Sequence, residues 1–256
     1  MPKHNSLAGD SRVGDVVDWE GFDVFADEQW NNNGIALNSY SKFNGATFDS
    51  LRQKILNFDH VSSLSPNTSF HLYVFAGICD ISTLRRDTHR PRDRSRWECY
   101  FNSENTHFES IQSDIQGLDS AITSRGMVPI YCTIPLINFS VYNDSLGNFS
   151  HRQFSQSEYN LMTAEALPLT LRVSDYLISL NQSRSKSTPL LHKSIIKSHG
   201  NKHKQRIVEH FEYFRDGLHA SESFSFFDEN TQTNKVRNLK RDWAESIFVA
   251  MKKNSQ

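Results

Sequence analysis

Two apolar runs of strand length, SFHLYVFAG at residues 69–77 and MVPIYCTIP at residues 127–135, flank a helix-period segment, and that order constrains the fold more than any other feature. Between them, residues 108–124 place Ile111, Ile115, Leu118 and Ile122 at steps of three and four, the spacing of one helical face. Gly126 follows, at a position where a helix C-terminus favours glycine. A strand apolar along its whole length, rather than at alternate residues, needs cover on both faces. Strand, helix and strand in succession therefore predict a parallel pair joined by a right-handed crossover. Pro129 lies near the start of the second run, where a ladder tolerates it.

The rest of the chain continues the alternation. Residues 6–9, SLAG, read as a short strand, residues 13–25 as a helix, residues 34–40, GIALNSY, as a strand, and residues 48–58 as a helix. Residues 156–181 read as a helix interrupted or kinked at Pro168. A last amphipathic helix over residues 236–252 carries Leu239, Trp243, Ile247 and Val249. Two segments break the rhythm: an arginine-dense stretch at about 85–104 and a polar, basic one at 182–206. Both read as loop insertions within a single domain spanning residues 1–256.

Composition excludes several classes. A net charge of −1 gives no global pull toward nucleic acid or membrane. Cys79, Cys99 and Cys132 are odd in number and form no CxxC pair, against both a disulfide framework and a zinc site. His199 and His203 are four apart, but Gly200 and Asn201 between them argue against the helix that metal-binding spacing needs, so with His210 they read as surface histidines. The first fifteen residues lack the apolar core of a signal peptide, and no run is long enough for a membrane span. The expectation is an intracellular, cytoplasmic protein.

In a parallel sheet reactive groups collect at the carboxyl ends of the strands. Gly9-Asp10-Ser11 follows the first strand, placing a hydroxyl and a backbone N–H at a strand-to-helix turn, as nucleophile and oxyanion donor require. Asn44 and Gly45 follow the second strand, and Gly45 lets backbone approach a ligand closely. Gly77-Ile78-Cys79-Asp80 follows the third, and Asp216-Gly217-Leu218-His219 stands in a late loop.

These four blocks, GDS at 9–11, NGAT around Gly45, GICD at 77–80 and DGLH at 216–219, resemble those of the SGNH/GDSL hydrolases, a family of esterases, lipases and deacetylases. The AGICDIS and TPLLHK stretches also look like the SGNH-type domains carried by animal mobile elements. The resemblance implies an α/β fold: a three-layer α/β/α, flavodoxin-like sandwich around a mostly parallel five-stranded sheet. It implies Ser11 as nucleophile, His219 as base and Asp216 as the residue orienting it, with Ser11 and Gly45 as oxyanion donors. Asn44, Asp80, Arg85 and Arg86 fall where substrate would be met. The expected activity is serine hydrolysis of a small ester or acetylated group, with no metal or organic cofactor.

One position departs from the family. Cys79 stands where the family has the asparagine whose side chain is the third oxyanion donor, and a thiol donates poorly. Three alternatives stay open: a slow enzyme, a substitute donor such as Asn44 or Ser82, or a site that has given up chemistry. In the last case the basic loops point to a non-catalytic module binding nucleic acid or a protein partner.

Overall fold

The computed structural model describes residues 3–56, 68–86, 97–101, 104–137, 142–145, 153, 155–191, 193–196, 206–209, 219–220, 224–228 and 232–256. The central sheet comprises β1 (Lys3–Gly9), β2 (Ser39–Lys42), β3 (Ser69–Phe75) and β6 (Met127–Tyr131). They lie in the order β2-β1-β3-β6, every pair parallel. This is the flavodoxin-like order as far as its fourth strand. The sequence predicts five strands; four are paired here among the described residues. Next to the fourth, Thr133 N–H donates to the Pro189 carbonyl at 3.1 Å, and Leu191 N–H donates to Thr133 Oγ1 at 2.7 Å. Residues 189–191 thus run along that edge with a side-chain bond in place of a regular ladder, where Pro189 has no N–H to give.

Helices cover both faces because the strands are apolar on both. One face holds α3 (Phe48–Leu56), α5 (Glu104–Ser124) and α6 (Gln156–Ser183), packed through Leu51, Ile115, Leu118, Val173 and Leu177 against Leu72 and Val74. The other holds α1 (Val13–Val17), α2 (Phe22–Asn33) and α7 (Leu239–Ser255), packed through Val16, Phe25, Trp243 and Ile247 against Leu7, Tyr73 and Phe75. Trp243 meets the Phe75 ring edge-on at 5.4 Å. Alternate residues of β3 serve opposite faces, the consequence of a two-residue pleat.

Several boundaries differ from expectation. The single helix expected over 13–25 is two, because Gly21 adopts φ +90 and breaks the path between α1 and α2. Pro168 does not interrupt α6: it lies on the exposed side, where water reaches the carbonyl that its missing N–H leaves without a donor. The last helix starts at Leu239, with Asn238 accepting the Arg241 N–H as its cap. Before it, β9 (Phe224–Asp228) and β10 (Thr233–Arg237) pair antiparallel. The two segments read as loops also carry antiparallel pairs, β4 (Ser82–Arg86) with β5 (Trp97–Phe101) and β7 (Lys193–Ile196) with β8 (Arg206–Glu209). Their alternation of polar and apolar residues is short and charged, which hid the pairing. His199, His203 and His210 lie outside the described residues, as do the turns of both pairs.

Two constraints hold the carboxyl ends of the strands together. At the β1–β3 contact a Cβ on Gly9 would lie 1.8 Å from the Phe75 carbonyl oxygen, so only glycine allows the approach. Beyond β3, the short helix α4 (Ile78–Ile81) carries Asp80, which is buried and accepts the Phe48 N–H at the start of α3 with both carboxylate oxygens at 3.2 Å. Burial raises the Asp80 carboxyl to about 8, against the lowering effect of that hydrogen bond.

Gly9→Ala is expected to destabilise the protein by about 3 kcal/mol or more, since the clash is with backbone and no rotamer relieves it; chemical denaturation measures this. Asp80 adds a pH dependence. Its folded-state pKa lies above the ordinary carboxyl value, so its stabilisation is full below about 4 and is lost as pH rises through about 8. The urea midpoint of the wild type should fall between pH 5.5 and pH 8, and Asp80→Asn, which cannot ionise, should reduce that fall.

Candidate active site

Ser11 stands in the turn between β1 and α1. The ladder runs one residue past the strand, with Asp10 N–H donating to the Phe75 carbonyl at 3.1 Å, and the chain then winds into a tight turn as Gly14 N–H donates to the Ser11 carbonyl at 3.1 Å. Asp10 and Arg12, both almost fully buried, close on each other across the serine. Asp10 Oδ1 accepts the Arg12 backbone N–H at 2.9 Å and Nε–H at 3.1 Å, and Oδ2 accepts Nη2–H at 2.7 Å. The guanidinium also lies 4.7 Å from the centre of the Phe75 ring. A bidentate buried pair of this kind fixes the backbone between its members.

His219 comes from 208 residues further along the chain, and its Nε2 lies 3.1 Å from Ser11 Oγ. Both residues are half-buried. The next residue, Ala220, is packed into the core beneath α1 and α7, and its N–H donates to Asp15 Oδ2 at 3.2 Å. Asp15 lies four residues after Ser11, on the helix that follows the serine turn, so that helix also holds the stretch of chain bearing the histidine.

The turn after β2 is tied to the same place. Phe43 N–H donates to the Gly9 carbonyl at 2.9 Å, and Ala46 N–H returns to the Phe43 carbonyl at 3.0 Å. Gly45, with φ +70, and Asn44 are exposed at the tip of that turn, and a Cβ at Gly45 would meet nothing within 4 Å. Among the described residues, the N–H groups of Ser11 and Gly45 donate to no backbone carbonyl. After β3, Gly77 turns the chain with φ +115 close against Ile134 and Phe48, and brings Cys79 to the same end of the sheet. Burial pushes the Cys79 thiol up to about 12, with Asp10 adding to the rise and Arg12 opposing it, so it remains a thiol at neutral pH.

Of the residues singled out from the sequence, Ser11 and His219 meet, while Gly45 and Cys79 lie in the segments that follow β2 and β3, the strands on either side of β1. Asp80, expected among substrate contacts, turns its carboxylate to the Phe48 backbone instead. Asp216 lies outside the described residues, as do the side chains of Arg85 and Arg86. Arg12 and Asp15 escaped the sequence analysis. Their signal was an acid and a base two apart around the serine, with a second acid at helical spacing from it. Among the described residues, no group of three or more histidine, cysteine or acidic side chains is placed to hold a metal ion, and no helix is long and apolar enough to cross a membrane.

No family model matches the sequence, and no curated protein matches it. Solved structures do. A GDSL-like lipase from Bacteroides thetaiotaomicron superposes with a TM-score of 0.50 at 9% identity, covering 99% of this chain and 89% of its own. A member of the lipolytic G-D-S-L protein family from Veillonella parvula gives 0.44 at 10% identity over 96% of this chain and 98% of its own. An acetyl xylan esterase gives 0.41 at 12% identity over 96% of this chain and 98% of its own. At such identities the likeness is one of fold, and it spans nearly the whole length of both chains in the first pair. The chain carries the fold of the GDSL, or SGNH, hydrolases.

Proposed function

We propose that the protein is a serine acyl hydrolase of SGNH type, acting on a small ester or an acetylated group. The observation that carries this reading is the 3.1 Å contact between Ser11 Oγ and His219 Nε2 at the carboxyl end of β1. That distance lies within the range over which a base takes a proton from its nucleophile.

The chemistry follows in two halves. Ser11 Oγ attacks the acyl carbonyl as His219 Nε2 accepts its proton. The carbonyl oxygen becomes an oxyanion, received by the N–H groups of Ser11 and Gly45. His219 then protonates the departing alcohol oxygen, leaving an acyl-serine, and repeats both transfers with water to release the acid and restore the hydroxyl. Asp216, three residues before the histidine, is assigned to hold the other ring nitrogen. The turn that presents Ser11 needs no rearrangement for this, because the Asp10–Arg12 pair already fixes it.

Cys79 limits the rate. A protonated thiol gives the oxyanion little, and one missing donor costs roughly 2.7–4 kcal/mol of transition-state stabilisation, about 100- to 1,000-fold in turnover. A non-catalytic module binding nucleic acid through the basic segments is the alternative, but those segments lie largely outside the described residues.

The discriminating test is a fluorophosphonate probe together with p-nitrophenyl acetate hydrolysis. Both labelling and turnover should occur in the wild type and vanish in Ser11→Ala; wild type that neither labels nor turns over would refute the hydrolase. Cys79→Asn, which places an amide donor in the third position, should raise kcat by about 10-fold or more with little change in KM.

A further inference from the structure

We infer that Asp15 is a positioning residue for His219, an assignment that rests on the acyl-hydrolase reading and extends it. Asp15 is almost fully buried, and its Oδ2 accepts the Ala220 N–H at 3.2 Å. The acceptor sits on α1, one turn past Ser11, and the donor is the residue that follows His219. The carboxylate therefore joins two parts of the site that are 205 residues apart in sequence. The turn before α1 presents the hydroxyl, and α1 grips the histidine segment four residues later, while Ala220 packs in the same core cluster as α7.

The physical reason for an acid here is the character of the bond. A carboxylate accepting a backbone N–H in a water-excluded place makes a charge-assisted hydrogen bond, stronger than a neutral one. Ala220 packs against the core through its methyl group, so the segment is held by one polar and one apolar contact. Removing the polar contact leaves a buried N–H without its carboxylate partner, and the segment is then free to shift by the few tenths of an ångström that separate a productive Ser11–His219 contact from an idle one. Asp15 touches neither substrate nor the reacting atoms. Its effect should fall on kcat rather than on KM.

The test uses the full chain with Asp15→Ala and Asp15→Asn, reading p-nitrophenyl acetate kinetics and hydrogen exchange at the Ala220 amide by NMR. In Asp15→Ala the Ala220 amide should exchange at least about 10-fold faster, and kcat should fall about 10- to 100-fold with KM changed less than about twofold. Asp15→Asn, which keeps an acceptor oxygen but not the charge, should restore part of both losses. Should Asp15→Ala fail to fold, Asp15→Ser, whose hydroxyl is too short to reach, takes its place. An Ala220 amide that stays protected without the carboxylate overturns the proposal, as does a loss of kcat equal in the alanine and asparagine variants. If the wild type shows no Ser11-dependent turnover, the hydrolase reading falls on its own, and amide exchange alone then decides whether Asp15 holds the segment.

Discussion

The Asp10–Arg12 pair at the end of β1 is two opposite charges removed from water on either side of one serine. Burial of charge is costly, and here three hydrogen bonds within a span of three residues offset most of that cost, although Arg12 Nη1 is buried with no hydrogen-bond partner among the described residues. Because the partners are so close in sequence, their bonds leave the intervening backbone very little freedom. The constraint reaches further through Phe75, whose carbonyl takes the Asp10 N–H and whose ring lies under the guanidinium. Phe75 in turn is pressed against Gly9 on one side and Trp243 on the other. The serine is thus fixed by the same contacts that join the first strand, the third strand and the last helix.

Around that point the parallel sheet does what such sheets do. Its strands end together, and the segments that leave them converge from different parts of the chain. The turn after β2 is bonded to Gly9, Asp80 ties the segment after β3 to the start of α3, and the segment bearing His219 is gripped from α1. Each of these ties is made by a polar group held within the apolar layers, where an unmet hydrogen bond is expensive and the native arrangement is correspondingly favoured. Precision at the serine comes from these polar ties, while the two helical layers supply the bulk of the stability.

The layers were legible in the sequence because apolar periodicity reports burial directly. The runs at 69–77 and 127–135 and the face through Ile111, Ile115, Leu118 and Ile122 needed no partner to be recognised. Ser11 and His219 were legible through the spacing of the motif blocks, although nothing in spacing alone brings two residues to hydrogen-bond distance. What stayed hidden depends on contacts between distant segments. Arg12 reads as an ordinary surface cation until its burial is known, and Asp15 reads as a polar residue of a helix until Ala220 arrives against it. The antiparallel pair of β4 and β5 was hidden for another reason: its strands are only five residues long and flank an arginine-dense stretch, so charge masked the two-residue alternation. Asp80 shows the opposite case, since an acid beside a motif suggests a ligand while its burial and its bond to the Phe48 N–H at the start of α3 are invisible in the sequence.

Mapping the site of a covalent fluorophosphonate adduct by peptide mass spectrometry, in the wild type and in His219→Ala, tests the meeting of the two chain ends most directly. The account requires the adduct on the peptide containing Ser11, formed at least about 100-fold more slowly once the imidazole is gone. An adduct on a different serine, or one formed at Ser11 equally fast without His219, would contradict it.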